Sequence, residues 1–285
     1  MITFALNGRK TEFAGDEKTS LLTYLREEKG ITSAKDGCSG QAACGSCLVE
    51  VGGKAALACA TPLHKVAGKE VVTLEGLPES LLRTLGRAFV SKGAVQCGFC
   101  TPGFLTRTKI LLEKNPDPTR QEVVKAMRFH LCRCTGYVKI VDAVLEAAAA
   151  LREGREIPFE DGAGIGVSSP KYRAFERAIG RKPFIDDLRF DGMVHGALRF
   201  SDHPRARVLS IDMDEAGKAP GVIRIFTAED IPGERNVGPI VQDWPVMIKV
   251  GETTRYIGDV LAGVVAETEA QARAAVKLIL VAYEV

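Results

Sequence analysis

Eight cysteines lie between residues 38 and 134, and the rest of the 285-residue chain has none. They fall into two groups of four. Cys38, Cys44, Cys47 and Cys59 read C-x5-C-x2-C-x11-C, and Cys97, Cys100, Cys132 and Cys134 read C-x2-C-x31-C-x1-C. The first group sits in GCSGQAACGSC (37–47), where almost every neighbour is small. A chain bent so tightly around three thiols is shaped to bring sulfur and backbone N–H groups onto one object, and glycine permits the positive φ that such a bend needs.

The chemistry that asks for four thiolates is a [2Fe–2S] core, and the first spacing is one residue longer than the plant-type ferredoxin run C-x4-C-x2-C with a distant fourth cysteine. An oxidised core with four thiolates carries a formal charge of roughly −2, so N–H groups must reach its sulfurs. Gly37, Ser39, Gly40, Ala42, Ala43, Gly45 and Ser46 leave that room. Structural zinc is the plain alternative. Zinc ribbons place two CxxC pairs about 15–20 residues apart, whereas 49 residues separate Cys47 from Cys97. Zinc, or a dithiol redox pair, leaves Cys38 and the Cys-Arg-Cys run unexplained.

Disulfides depend on the compartment. The N-terminus, MITFALNGRKTEF, lacks the pattern of a secretory signal, and no apolar run approaches the ~20 residues that span a bilayer. A cytoplasmic protein is expected, with reduced cysteines. The net charge of +2 is spread along the chain, which gives no reason to expect nucleic acid or a membrane as partner.

The segments around the cysteines change character. Residues 2–6 and 10–13 alternate as strands around Asn7-Gly8, a two-residue hairpin signal. Thr19 or Ser20 can cap a helix that presents Leu21, Leu22 and Leu25 and ends near Gly30. Leu48–Val51 and Ala55–Ala58 flank Gly52-Gly53, and Val71–Leu74 closes a small sheet. From Pro78 the period is helical, with segments at 80–92, 102–114, 119–131 and 138–152. Thr101 reads as an N-cap before Pro102, Thr119 with Glu122 as a capping box, and Cys132 as the end of the third segment.

Residues 154–170 read as a linker. Its GAGIG (162–166) follows no strand and opens no helix, so it is not a phosphate loop. Beyond it, strands at Met193–Phe200, Val208–Asp212, Ile223–Phe226 and Val260–Ala266 precede a helix at 267–280. His64, His130, His195 and His203 are expected to be structural, and Trp244 to pack. The C-terminus after a strand-like run suggests a fragment, or a subunit of something larger.

QCGFCTPG (96–103) with LCRCTGY (131–137) resembles the helical [2Fe–2S] domain of the molybdenum hydroxylases, the xanthine dehydrogenase and aldehyde oxidoreductase family. KDGCSGQAACGSC resembles that family's preceding ferredoxin-like domain. PFIDDLRFDGMVHGALRFSDHPRARV and YIGDVLAGVVAET resemble its hammerhead domain. The resemblance implies an α+β multidomain chain: a β-grasp, plant-type ferredoxin-like [2Fe–2S] domain (1–77), a four-helix-bundle [2Fe–2S] domain (78–153), the linker (154–170) and an α/β hammerhead domain (171–285).

The same resemblance implies that Cys38, Cys44, Cys47 and Cys59 hold one cluster and Cys97, Cys100, Cys132 and Cys134 the other. Gln96 and Cys134 would contact molybdopterin, including its cytosine dinucleotide form. The molybdenum site, with the catalytic residues, would be held by another subunit or by a C-terminal remainder of the chain. Electrons from a purine such as xanthine, or from an aldehyde, would pass from molybdenum to a flavin (FAD) subunit or an external acceptor. The direct fusion without a flavin domain resembles the aldehyde oxidoreductases and the selenium-dependent xanthine dehydrogenases. A two-cluster carrier without catalytic activity is the alternative.

Overall fold

Asn7 and Gly8, at φ 51° and 78°, turn β1 (Ile2–Leu6) back onto β2 (Arg9–Phe13), one residue earlier than the alternation suggests. The computed structural model describes residues 1–158, 164–167 and 169–285, and contacts group them into two units, Met1–Leu188 and Arg189–Val285. In the first unit, Ser20 caps a single α-turn, α1 (Leu21–Thr23), which widens into a π-helical turn over Tyr24–Glu28. Strands β3 (Leu48–Val51), β4 (Lys54–Leu57) and β5 (Glu70–Val72) complete a five-stranded sheet of order β2-β1-β5-β3-β4. Strand β5 runs parallel to β1, and the other pairings are antiparallel. Leu21, Leu22, Tyr24 and Leu25 bury against Phe4, Phe13, Val49 and Val71. From the π-turn the Arg26 guanidinium donates to the carbonyl of Ala34, a member of this core, at 3.0 Å.

The rest of the first unit is helical: α2 (Glu79–Ser91), α3 (Thr101–Lys114), α4 (Arg120–Met127) and α5 (Val138–Glu153). Leu85, Phe89, Phe104, Leu105, Ile140 and Val144 form their shared core. The Thr119–Glu122 capping box is present. Two expectations are corrected. Thr101 is not the cap but the first helical residue; Cys100 stands at the cap, because the Thr101 N–H turns back to the Gly98 carbonyl. The 119–131 segment leaves the helix after Met127, so Cys132 lies in an irregular turn. The Leu131 N–H there is committed to Cys44 rather than to its own helix.

Residues 171–188 pack with the first unit. Helix α6 (Ala174–Ala178) sits against α2, where Gly86 admits it; a Cβ at that position would come 2.7 Å from the Phe175 ring. The GAGIG stretch lies partly outside the described residues.

The second unit contains β6 (His195–Phe200), β7 (Arg207–Asp212), α7 (Asp214–Gly217) and β8 (Val222–Thr227), then the short pair β9 (Asn236–Val237) and β10 (Trp244–Pro245). Strand β11 (Val260–Ala266), helix α8 (Glu269–Val276) and strand β12 (Leu280–Glu284) follow. Strand β11 lies between β6 and β8, and β12 pairs with β7. Ala262, Val264, Ala275 and Ile279 form the core under α8. The expected helix over 267–280 therefore stops early, since residues from Leu280 meet the open edge of β7. Trp244 packs edge-on against Tyr256 but remains 56 % exposed. Among the described residues, no helix is long and apolar enough to cross a membrane.

Candidate iron–sulfur sites

The first cysteine loop makes its bend with Ser39 and Ala42 as well as Gly40 and Gly45 at positive φ (50°, 57°, 78° and 72°). Two non-glycine residues in this region carry strain of about 1–3 kcal/mol each, and this is how the loop accommodates five residues between Cys38 and Cys44. Cys44 and Cys47 are buried, while Cys38 and Cys59 are half-buried. Cys59 arrives from the 3-10 turn Ala58–Ala60, which the Ala58 N–H ties to the Cys47 carbonyl at 3.2 Å. Burial pushes the Cys38 thiol up, but the N–H groups of Ala43 and Cys44, the Cys44 thiol and the Gln41 N–H outweigh it and hold it below its ordinary value. Burial pushes Cys47 up to about 12, with the Cys59 and Cys44 sulfurs close by. The loop is tight at Gly37, where a Cβ would lie 3.1 Å from the Cys44 sulfur.

The second quartet is assembled from two loops. The Cys97 and Cys134 sulfurs are 3.6 Å apart. Burial raises the Cys97 thiol, with Cys134 and Cys132 adding to it. Burial also raises Cys100, aided by Cys132 and Cys97. On Cys132 burial is outweighed by the Thr135 hydroxyl, 3.0 Å away, and by the N–H groups of Thr135 and Cys134, which lower it. The Phe99 N–H reaches the Cys97 sulfur at 3.5 Å. Gln96 is not a freely solvated amide: its Nε2 donates to the Cys134 carbonyl at 3.0 Å. Tyr137, in the left-handed region at φ 71°, accepts the Cys132 N–H on its hydroxyl at 3.0 Å.

The quartets meet through backbone. The Leu131 N–H, one residue before Cys132, donates to the Cys44 carbonyl at 2.9 Å. A Cβ on Gly103 would lie 2.5 Å from the Gly45 carbonyl, and one on Gly45 would lie 2.8 Å from that of Phe129. His130 fills the corner as expected of a structural residue. It is 2 % exposed, its Nε2 lies 3.2 Å from the Gly103 carbonyl and its ring is 4.8 Å from Phe104. Burial, then Arg107, takes its imidazole down to about 4, so it is neutral at physiological pH.

The residues present fit two iron–sulfur cores. In each quartet thiols gather in a partly buried space where each thiolate opposes ionisation of the next, and bound iron supplies the positive charge that removes this conflict. Backbone N–H groups already face the Cys38, Cys97 and Cys132 sulfurs. Among the described residues, no three His, Cys, Asp or Glu side chains gather as they would around a single ion.

Several supporting residues were not anticipated from sequence. Thr135 and Tyr137 follow the Cys-Arg-Cys run closely, and a hydroxyl two or three residues from a cysteine is a legible signal. Arg177, whose guanidinium donates to the Cys97 carbonyl at 3.3 Å, and Lys35 with Asp187 (Nζ to Oδ2, 2.6 Å) are joined only by the fold.

The comparisons follow this geometry. A family model described as 2Fe-2S iron-sulfur cluster binding domain matches residues 4–74, and one described as [2Fe-2S] binding domain matches 73–145. The aldehyde oxidase and xanthine dehydrogenase, a/b hammerhead domain matches 179–285. The chain belongs to the molybdenum hydroxylase family. The aldehyde oxidoreductase of Megalodesulfovibrio gigas is 34 % identical over 98 % of this molybdenum hydroxylase chain, which spans 33 % of that protein. The crystal structure of the aldehyde oxidoreductase from Desulfovibrio desulfuricans matches all of the chain with a TM-score of 0.91 at 35 % identity, again over 33 % of its own length. The nicotinate dehydrogenase small FeS subunit of Eubacterium barkeri is 44 % identical, over 50 % of this chain and 91 % of its own. The chain thus spans about a third of the aldehyde oxidoreductases it matches, and its first half corresponds to nearly all of a separate small subunit.

Proposed function

We propose that this chain is the electron-relay and hammerhead portion of a molybdenum-dependent hydroxylase that oxidises a small molecule such as a purine or an aldehyde. A ferredoxin-like β-grasp domain (1–77) and a four-helix-bundle domain (78–153) would each hold one [2Fe–2S] cluster, followed by the linker and the hammerhead domain (171–285). Cys38, Cys44, Cys47 and Cys59 would be the ligands of the first cluster, and Cys97, Cys100, Cys132 and Cys134 those of the second. When bound, the clusters supply one-electron acceptor sites. The observation that carries the reading is the backbone bond from the Leu131 N–H to the Cys44 carbonyl, which joins the loop before Cys132 to the loop of Cys44.

The chain's own residues define the direction. Cys97 and Cys134 are exposed, and so are three apolar residues close to the Cys132–Cys134 run in sequence: Phe129 at 59 %, Leu131 at 58 % and Val138 at 60 %. Exposed apolar side chains suit cover by another protein surface, and we assign this region to the molybdenum-bearing part, with Gln96 and Cys134 meeting the pterin. The first loop exposes mostly small residues around Cys38, with Asp36 and Gln41 beside them, which suits close approach of an FAD subunit or an external acceptor. A free-standing carrier has no use for a domain of the hammerhead family.

Metal analysis and EPR test the proposal. Purified chain should carry about four iron atoms and give two distinct [2Fe–2S] signals on reduction. Cys134→Ala should remove half the iron and only one signal. Colourless, zinc-containing protein, or both signals intact in the variant, would refute it.

A further inference from the structure

Lys35 is among the most deeply enclosed charges of the first unit, 2 % exposed, and it stands three residues before Cys38. Its backbone N–H donates to the Ser46 carbonyl at 3.1 Å, beside Cys47. Its ammonium meets Asp187 at 2.6 Å and lies 5.0 Å from the Phe184 ring centroid. Asp187 also takes Arg26, at 2.8 Å, from the π-helical turn. The Asp187 side chain is itself only 2 % exposed. The triad therefore holds two cations and one anion, and Glu75, whose carboxylate takes the Ser33 N–H and hydroxyl, adds a more exposed negative charge near Lys35.

The space between that charge and the first quartet is aromatic. Phe184 packs edge-on to Phe99, with centroids 5.3 Å apart. Phe99 lies 3.1 Å from where a Gly37 Cβ would stand, at the same distance as the Cys44 sulfur. These two rings are half-buried, and a charge enclosed behind them acts in a medium of lower dielectric than water. Within the triad one cation is in surplus, and Lys35 is the one that adjoins the cysteine loop.

We propose that Lys35, kept in place by Asp187, is the positioning residue that sets the reduction potential of the first cysteine quartet's cluster. The inference rests on the reading that this quartet holds a [2Fe–2S] core. A buried positive charge favours the reduced, more negative core over the oxidised one. Asp187 makes the charge tolerable by covering it, and Arg26 prevents Asp187 from cancelling it. Because Asp187 comes 152 positions later than Lys35, the segment leading towards the second unit sets the electrostatics of the first loop.

The test compares Lys35→Met, Lys35→Arg and Arg26→Gln in the full chain by EPR-monitored redox titration. Lys35→Met removes the surplus charge and leaves Arg26 and Asp187 balanced. A unit charge within about 10 Å at an effective dielectric of about 20 changes an equilibrium by about tenfold, which is about 59 mV for a one-electron couple. The first cluster in Lys35→Met should become harder to reduce by about that factor, with the second cluster's potential unchanged. Arg26→Gln should shift it the same way by less, and Lys35→Arg should restore the original value. An unchanged first potential in Lys35→Met, equal shifts of both clusters, or loss of the first cluster in both charge-removing variants would overturn the proposal and leave the triad a folding element. Absence of two clusters from the unaltered chain would instead refute the underlying reading.

Discussion

The two cysteine quartets have the same donor atoms and opposite surroundings. In the first, Cys44 and Cys47 are buried in the sheet-bearing part, and the loop offers solvent mostly small residues, with Asp36 and Gln41. In the second, Cys97 and Cys134 are exposed, as are the apolar Phe129, Leu131 and Val138 nearby in sequence. The first is also secured from far along the chain, by Asp187 on Lys35. The second is held by Thr135, Tyr137 and Gln96, which adjoin its cysteines in sequence, and from farther away by Arg177 on the Cys97 carbonyl. The difference teaches that a shared ligand set does not imply a shared role. One quartet is half covered by its own fold, while the other leaves Cys97 and Cys134 exposed.

The sharpest way to break this comparison is to cut the long-range anchor. Asp187→Ala leaves Lys35 and Arg26 without their buried carboxylate, and removing one partner of such a pair costs about 3–5 kcal/mol. Chemical denaturation of the first unit should register that loss, and the first cluster should be lost before the second. The effect has a pH signature. Burial alone would raise the Asp187 carboxyl, but Lys35, the Phe184 N–H and Arg26 outweigh it and hold it below the ordinary carboxylate range. A depressed carboxylate contributes stability that is complete above its ordinary value and fades as pH falls through its lowered one. The difference in stability between the original chain and Asp187→Ala should therefore shrink on acidification below about pH 4. A constant difference across that range would show that the carboxylate charge is not what anchors the loop.

Gly45→Ala probes the seam where the quartets touch. The residue sits at φ 72°, and a Cβ would come 2.8 Å from the Phe129 carbonyl and 2.9 Å from the His130 ring. Strain and overpacking together should cost about 1–3 kcal/mol, with both EPR signals perturbed because both loops must shift. A signal change confined to the first cluster would mean that the seam does not couple them.

The smallest effect separates burial from exposure without iron. In metal-free chain, Cys47→Ala should lower stability by about 1 kcal/mol, as expected for a small buried deletion. Cys134→Ala should stay within about 0.5 kcal/mol, as expected for a surface position. Equal losses would erase the distinction between an enclosed and an open quartet.

Much of this was legible along the chain. Asn7-Gly8, the Thr119–Glu122 box and the period of α2, α3 and α5 are local signals, and the structure realises them locally. Element ends were less so. The helix over 119–131 stops at Met127 because the Leu131 N–H is bonded to Cys44, a residue 87 positions earlier. The helix over 267–280 gives way to β12 because β7 has an open edge. Neither partner can be seen from within its own segment.

What the sequence determined by itself is the chemistry: eight thiols in two sets of four, with glycine and small residues wherever backbone must approach sulfur. Spacing and residue size are properties of the chain, and they suffice to specify a donor set. Only the tertiary structure decided how those sets are used: which sulfurs are covered, that Leu131 joins one loop to the other, and that Asp187 closes over Lys35. Burial and charge pairing are energies between residues distant in sequence, so they exist only once the fold has brought those residues together.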